Sequence, residues 1–187
     1  MSTTTPSPHV LYNHIEGVET LAYYQPGGYH PIKIGDQLNE RYRVVHKLGY
    51  GSFSTTWLAR DKTLSKYVAV KVGAAHSSEK EVDTLTRLSD PSLEDENLGK
   101  EFILPILDRF SIHGPNGTHP CFVTAPARCS LTHAKRTSQP WFFQLPVARS
   151  LAAQLAMAVA YIHKQGLVHG GEAWLRFFTV SRLDTLP

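Results

Sequence analysis

Between Tyr42 and Val72 three β-rich runs follow one another with only short turns between them, a spacing that predicts an antiparallel meander. The last run, Tyr67 to Val72, alternates strictly, with Val68, Val70 and Val72 on one face and Ala69 and Lys71 on the other. A strand of this pattern buries its valines and offers a small residue and a cation on the opposite side. The first run, Tyr42 to Leu48, puts Tyr42, Val44 and Leu48 on one parity, and the second, Ser54 to Arg60, is β-rich through Thr55, Thr56 and Trp57. GYGS joins the first pair and the polar DKTLSK the second.

Beyond the meander, Ser78 to Leu88 opens with a serine cap and an acidic first turn, and Val82, Leu85 and Leu88 recur at helical spacing. An acidic, polar loop follows from Asp90 to Lys100. Two further strands are expected at Phe102 to Phe110 and Pro120 to Thr124, linked by HGPNGTH. From Pro146 the pattern is helical, with Val147, Leu151, Leu155, Ala158, Val159 and Ile162 on one stripe and a stop at Gly166. Ahead of the meander, residues 1 to about 20 read as a mobile tail. The segment YYQPGGYHPIKI, Tyr23 to Ile34, carries Pro26, Gly27, Gly28 and Pro31 and reads as an ordered approach loop held by its aromatics.

With 187 residues, 42% of them apolar and 19% charged, the chain can build a core of about one domain. Its net charge of +3 is spread without a basic run, which argues against nucleic-acid or acidic-membrane partners. The ten histidines show no HExxH or Cys/His ligand spacing and read as surface residues, so no metal ligands are assigned. Cys121 and Cys129 are too few for a disulfide framework, and a reduced intracellular protein is expected. Met1 to Pro8 lacks a signal-peptide core, and Leu151 to Ile162 is short for a membrane span and contains Gln154. A soluble cytoplasmic or nuclear protein is the expectation.

Three features carry chemistry. Gly49-x-Gly51-x-x-Ser54 lies at a strand-to-strand turn, where glycines let the backbone approach an anion and present its N–H groups. Lys71 adds a point charge for phosphate beside Ala69, where a planar base could lie. Glu81 shares a helix face with Leu85 and Leu88 and so leans inward, where a carboxylate needs a cation such as Lys71. Singly, each also fits a ligand-free hairpin, a solvated lysine or a solvated carboxylate.

The order of glycine turn, VAVK and helix glutamate is that of a protein-kinase N-terminal lobe. More closely, PGGYHPIKIGDQLNERYRVVHKLGYGSFSTTWLARD resembles the SR-protein kinase family of serine/threonine kinases, above all its divergent fungal members. The likeness rests on GGYHPI, on Ser54 in place of a third glycine and on Trp57, and runs from about Tyr24 to Gly170. It implies an α+β, protein-kinase-like fold. A complete N-terminal lobe, a five-stranded antiparallel sheet plus one helix, would occupy residues 23–127. The first helices of the C-terminal lobe would occupy 128–170, with a disordered tail at 1–22 and a non-family tail at 171–187. Leu48, Gly49, Tyr50, Gly51, Ser52, Phe53, Ser54, Thr55 and Thr56 would cover ATP, with Thr56 beside the base. Ala69 would touch adenine, Lys71 would hold the α- and β-phosphates paired with Glu81, and Thr124 would guard the back of the pocket. Ala125 to Ala127 would form the hinge, although TAPA lacks the family's usual acidic or bulky residues.

The pattern then breaks. YIHKQGLVH leads to His169 and Gly170 of the expected catalytic loop, but the proton-accepting aspartate is replaced by Gly171. Loss of such a base is typically worth about 10²–10⁴-fold. No catalytic-loop asparagine and no DFG or APE occurs in EAWLRFFTVSRLDTLP, so the family's Mg²⁺ ligands are missing from this stretch. Gly171-Glu172 can be encoded GGT-GAG, a splice-donor start, which would make the residues that follow translated intron. The expectation is therefore a kinase chain truncated at its catalytic loop: it would bind ATP without useful phosphoryl transfer to an Arg/Ser-rich protein. A pseudokinase-like nucleotide- or partner-binding module, or an unstable product of mis-splicing, stands as the alternative.

Overall fold

A computed structural model describes residues 18–90, 98–127, 131–137 and 141–168. Cys129 and the positions His169, Gly170 and Gly171, with the tail after them, lie outside the described residues.

The strands β1 (Gln37–Leu38), β2 (Tyr42–Gly51), β3 (Ser54–Asp61), β4 (Lys66–Gly73), β5 (Asp108–Gly114) and β6 (Gly117–Thr124) form one antiparallel sheet in the order β1-β2-β3-β4-β6-β5. The sheet thus has a sixth strand beyond the five expected; β1 is too short to show a period. The expected meander is β2-β3-β4, in continuous register from Tyr42↔Asp61 to Asp61↔Lys66 apart from two irregularities in β2.

Alternation decides the faces. Val68, Val70 and Val72 are buried together with Val44, Trp57, Ala59, Cys121 and Val123, and Ile32 and Leu38 complete this core. Tyr42 belongs to it too, but Leu48, expected on the same parity, is 44% exposed. Register shifts between Val44 and His46 and between Lys47 and Gly49 break the alternation before Leu48 is reached. At the mouth of this core Arg41 grips Asp61 through two hydrogen bonds of 2.9 and 2.7 Å and reaches Asp108, which also accepts from the Tyr42 hydroxyl.

Helix α1 (Lys80–Leu88) packs Val82 and Leu85 on Phe122. The expected serine cap survives in altered form: the Ser78 hydroxyl accepts from the Lys80 N–H, but the chain turns helical at Glu79. The apolar run at Phe102 to Phe110 is not one strand. Its first part closes a short 3-10 helix, Leu98–Phe102, and β5 begins only at Asp108; Pro105, with no N–H to donate, sits between them. Helix α2 (Leu131–Thr137) had no sequence signal, and α3 (Leu145–Lys164) follows it.

Leu88, Ile103, Ala158, Tyr161 and Ile162 join α1, the 3-10 helix and α3 in a second cluster, and the Tyr161 hydroxyl donates to the Leu88 carbonyl at 2.9 Å. The expected stripe on α3 therefore faces inward at Ala158 and Ile162, and Gly166, at φ +72°, ends the helix. By length and apolar composition α3 also reaches the size of a membrane span, longer than the stretch read from sequence because the helix begins at Leu145 and adds Leu145, Pro146, Val147 and Ala148 to it.

Order is already present before residue 23. Glu19 is buried, accepts from Lys47 and from the Tyr24 hydroxyl, and precedes a 3-10 turn at Leu21–Tyr23. A buried carboxylate that finds a cation organises the chain before residue 23. Among the described residues His119 departs from the surface expectation: it is fully buried, with Nδ1 3.0 Å from the Gly73 carbonyl.

Candidate nucleotide-binding site

Strand register assembles the site on the sheet face opposite the valines. Thr56 pairs with Lys71 and Lys71 with Phe122, giving one row across β3, β4 and β6; Leu58, Ala69 and Thr124 form the next row. Ala69 and Thr124 are therefore neighbours, both short and both largely buried. Gly49 lies opposite Thr56 at the end of the first row, and a Cβ built on it would meet nothing within 4 Å. The space beside Gly49 is open.

Lys71 Nζ donates to Glu81 Oε1, joining the β4 strand to the first turn of α1. Their side chains are 24% and 34% exposed, so the pair is half-buried. Lys71 Nζ also lies 5.4 Å from the centre of the Phe122 ring. A cleft of about 390 Å³ opens beside this pair, lined by Phe53 and Ser54 of the turn, by His76 to Ser78 ahead of α1, and by Pro120 and Phe122.

The other expected residues fall into three groups. Ser54 and Thr56 are half-buried on the Lys71 side, and Ser52 and Phe53 form the exposed turn itself, with the Phe53 carbonyl accepting from the Ala74 N–H. Gly51 and Tyr50 are half-buried on β2, and Leu48 stands exposed at the irregularity. Thr55 does not belong: one residue out of phase with Thr56, it is fully buried on the valine side and accepts from the Trp57 indole N–H at 3.0 Å. The glycines need no left-handed backbone, since neither Gly49 nor Gly51 has positive φ. Ala125 and Ala127 extend past β6 as exposed residues.

Sequence reasoning missed the residues that stand behind the turn. The Tyr29 hydroxyl donates to the Gly51 carbonyl, and burial pushes the Tyr29 phenol above its ordinary pKa, so it stays a donor. Lys47 lies 4.9 Å over the Trp57 ring and pairs with Glu19. The aromatic content of YYQPGG signalled an anchored loop, but nothing in a one-dimensional pattern joins Tyr29 to a carbonyl 22 residues away.

An antiparallel sheet, one helix bound to it by a lysine–glutamate pair, and a glycine turn over that pair make this the N-terminal lobe of a protein kinase, followed by the start of a second, helical lobe. No protein-family model matches the chain. Among curated proteins it is 36% identical to human SRSF protein kinase 3 over 181 residues, 90% of the chain and 31% of the relative. It is 36% identical to the serine/threonine-protein kinase spk-1 of Caenorhabditis elegans over 150 residues, 78% of the chain and 15% of the relative. A serine/threonine protein kinase of Aspergillus fumigatus is 31% identical over 165 residues, 87% of the chain and 42% of the relative. These matches bear out the resemblance carried by GGYHPI, Ser54 and Trp57: the chain is SR-protein-kinase-like over most of its length. It spans less than half the length of each of these relatives.

Proposed function

We propose that this chain binds ATP as the N-terminal lobe of an SR-protein-kinase-like serine/threonine kinase, and that its 187 residues do not complete phosphoryl transfer by themselves. The observation that carries the reading is the ion pair from Glu81 on α1 to Lys71, which shares a sheet row with Thr56 and with Gly49, itself open on its Cβ side. ATP would supply the transferable phosphoryl group. Ala69 and Thr124, small and paired across β4 and β6, would meet the planar base. Lys71, oriented by Glu81, would meet the α- and β-phosphates, while the Gly49 to Ser54 turn covers them with backbone N–H groups.

Catalysis needs more than this grip. In the family pattern the substrate hydroxyl gives its proton to an aspartate, and Gly171 has no side chain to take it. Among the described residues no three His, Cys, Asp or Glu side chains gather as a metal would need. The intact activity to which this lobe belongs is ATP-dependent phosphorylation of serines or threonines, with Arg/Ser-rich proteins as substrates, in the cytoplasm or nucleus.

Thermal unfolding of the purified chain with and without ATP tests the reading. At ATP about 100-fold above Kd, binding stabilises by about 2.7 kcal/mol, which raises Tm by roughly 5–11 °C for a chain of this size. An Arg/Ser-rich peptide should remain unphosphorylated in the same solution. No thermal shift at saturating ATP refutes nucleotide binding, and robust peptide phosphorylation refutes the assignment to Gly171.

A further inference from the structure

We propose that Tyr29 is a positioning residue for the nucleotide phosphates, acting through the Gly51 carbonyl; the inference rests on the ATP reading above. Tyr29 is 2% exposed, three residues ahead of Ile32 in the valine-side core, its ring 5.4 Å from that of Tyr23 and 5.6 Å from that of Tyr24. Tyr24 reaches the valine side through Glu19, whose other partner Lys47 lies over Trp57 of that core. From there the Tyr29 hydroxyl donates to the Gly51 carbonyl at the end of β2. In a trans peptide the C=O and the following N–H point in opposite directions. Holding the Gly51 carbonyl toward the valine side therefore turns the Ser52 N–H toward the Lys71 side, where a phosphate would be met.

The segment around Tyr29 is built to hold that hydroxyl still. The Gly28 carbonyl accepts from the Ala75 N–H at 2.9 Å and the Gly27 carbonyl from the His76 N–H at 2.8 Å. Asn116 Nδ2 donates to the Tyr29 carbonyl at 2.6 Å, and the Asn116 carbonyl accepts from the Gly27 N–H at 2.8 Å. Gly28 has no room for a side chain, since a Cβ there would stand 1.9 Å from the Tyr23 carbonyl oxygen. The approach segment thus links the β5–β6 turn, the lead into α1 and the glycine turn, and Tyr29 is its contact with the turn.

Tyr29→Phe keeps the ring and removes the hydroxyl. The experiment compares the affinities of the full chain and the variant for ATP and for adenosine, and follows amide hydrogen exchange at residues 51–53 without nucleotide. Loss of one hydrogen bond that orients a phosphate-binding amide is expected to weaken ATP about fivefold, to leave adenosine unchanged and to speed exchange at Ser52. Equal weakening of ATP and adenosine, or unchanged ATP affinity, overturns the proposal. If neither chain binds nucleotide, the ATP reading fails, and unchanged exchange at Ser52 overturns the brace on its own.

Discussion

Leu85→Ala probes how the lobe holds its glutamate in place. Leu85 is 1% exposed and shares a small cluster with Val82 and Phe122, one helical turn beyond Glu81. The substitution removes three carbon atoms at about 0.8 kcal/mol each, and the residual cavity raises the loss to about 3 kcal/mol, within the range of buried Leu→Ala changes. For a chain of this length that lowers Tm by roughly 6–12 °C. The helix has only nine residues, too few to persist without its packed face. Loosening it therefore also releases Glu81 from Lys71, and ATP affinity should fall with stability. Asp83→Ala on the same helix is the comparison. Its partner Arg109 is 3.6 Å away, but both side chains are more than 60% exposed, so the change costs less than about 1 kcal/mol. Calorimetry on both variants decides the matter. A Leu85→Ala shift no larger than that of Asp83→Ala would refute the packing account of α1.

Acid should act on Asp61. The Arg41 hydrogen bonds, opposed by burial and helped by the Leu64 and Thr63 N–H groups, hold its carboxyl at about 2 against an ordinary 3.8. The folded chain thus binds this proton more weakly than the unfolded chain, so the contribution is full above about pH 4 and is lost as pH falls through 2. Asp61→Asn should have a lower Tm at pH 7 and a flatter dependence of Tm on pH between 4 and 2, followed by circular dichroism; an unchanged slope would remove Asp61 as its source. Cys121 is 1% exposed, and burial pushes its thiol up to about 12. In a Cys129→Ser background, alkylation of native Cys121 at pH 8 should be slower than that of a free thiol by on the order of a thousandfold and recover in denaturant; rapid native labelling would contradict its burial.

The parts of this fold that sequence reveals are those with an uninterrupted local period. Val68, Val70 and Val72 alternate without a break, so both the core face and the position of Lys71 could be read directly. Val82, Leu85 and Leu88 likewise fixed the lean of Glu81. Periodicity failed where geometry interrupts it. The irregularities in β2 carry Leu48 off the core side, and a single residue of phase separates buried Thr55 from Thr56. The run FILPIL looked like a strand because it is apolar, yet tertiary packing takes Ile103 into the cluster with α3 before β5 begins. Contacts such as Glu19 with Lys47 and Tyr29 with Gly51 join residues 28 and 22 positions apart and leave no local trace.

Covalent trapping of Lys71 tests the central claim most directly. An acyl-phosphate derivative of ATP places a reactive carbonyl at its phosphate end; an amine held there attacks it, keeps the acyl group and releases ATP. Peptide mapping should find Lys71 acylated ahead of the exposed lysines, with labelling suppressed by excess ATP and reduced when Glu81→Gln removes its orienting partner. Acylation spread over the exposed lysines and indifferent to ATP would contradict a phosphate grip at Gly49, Gly51 and Lys71.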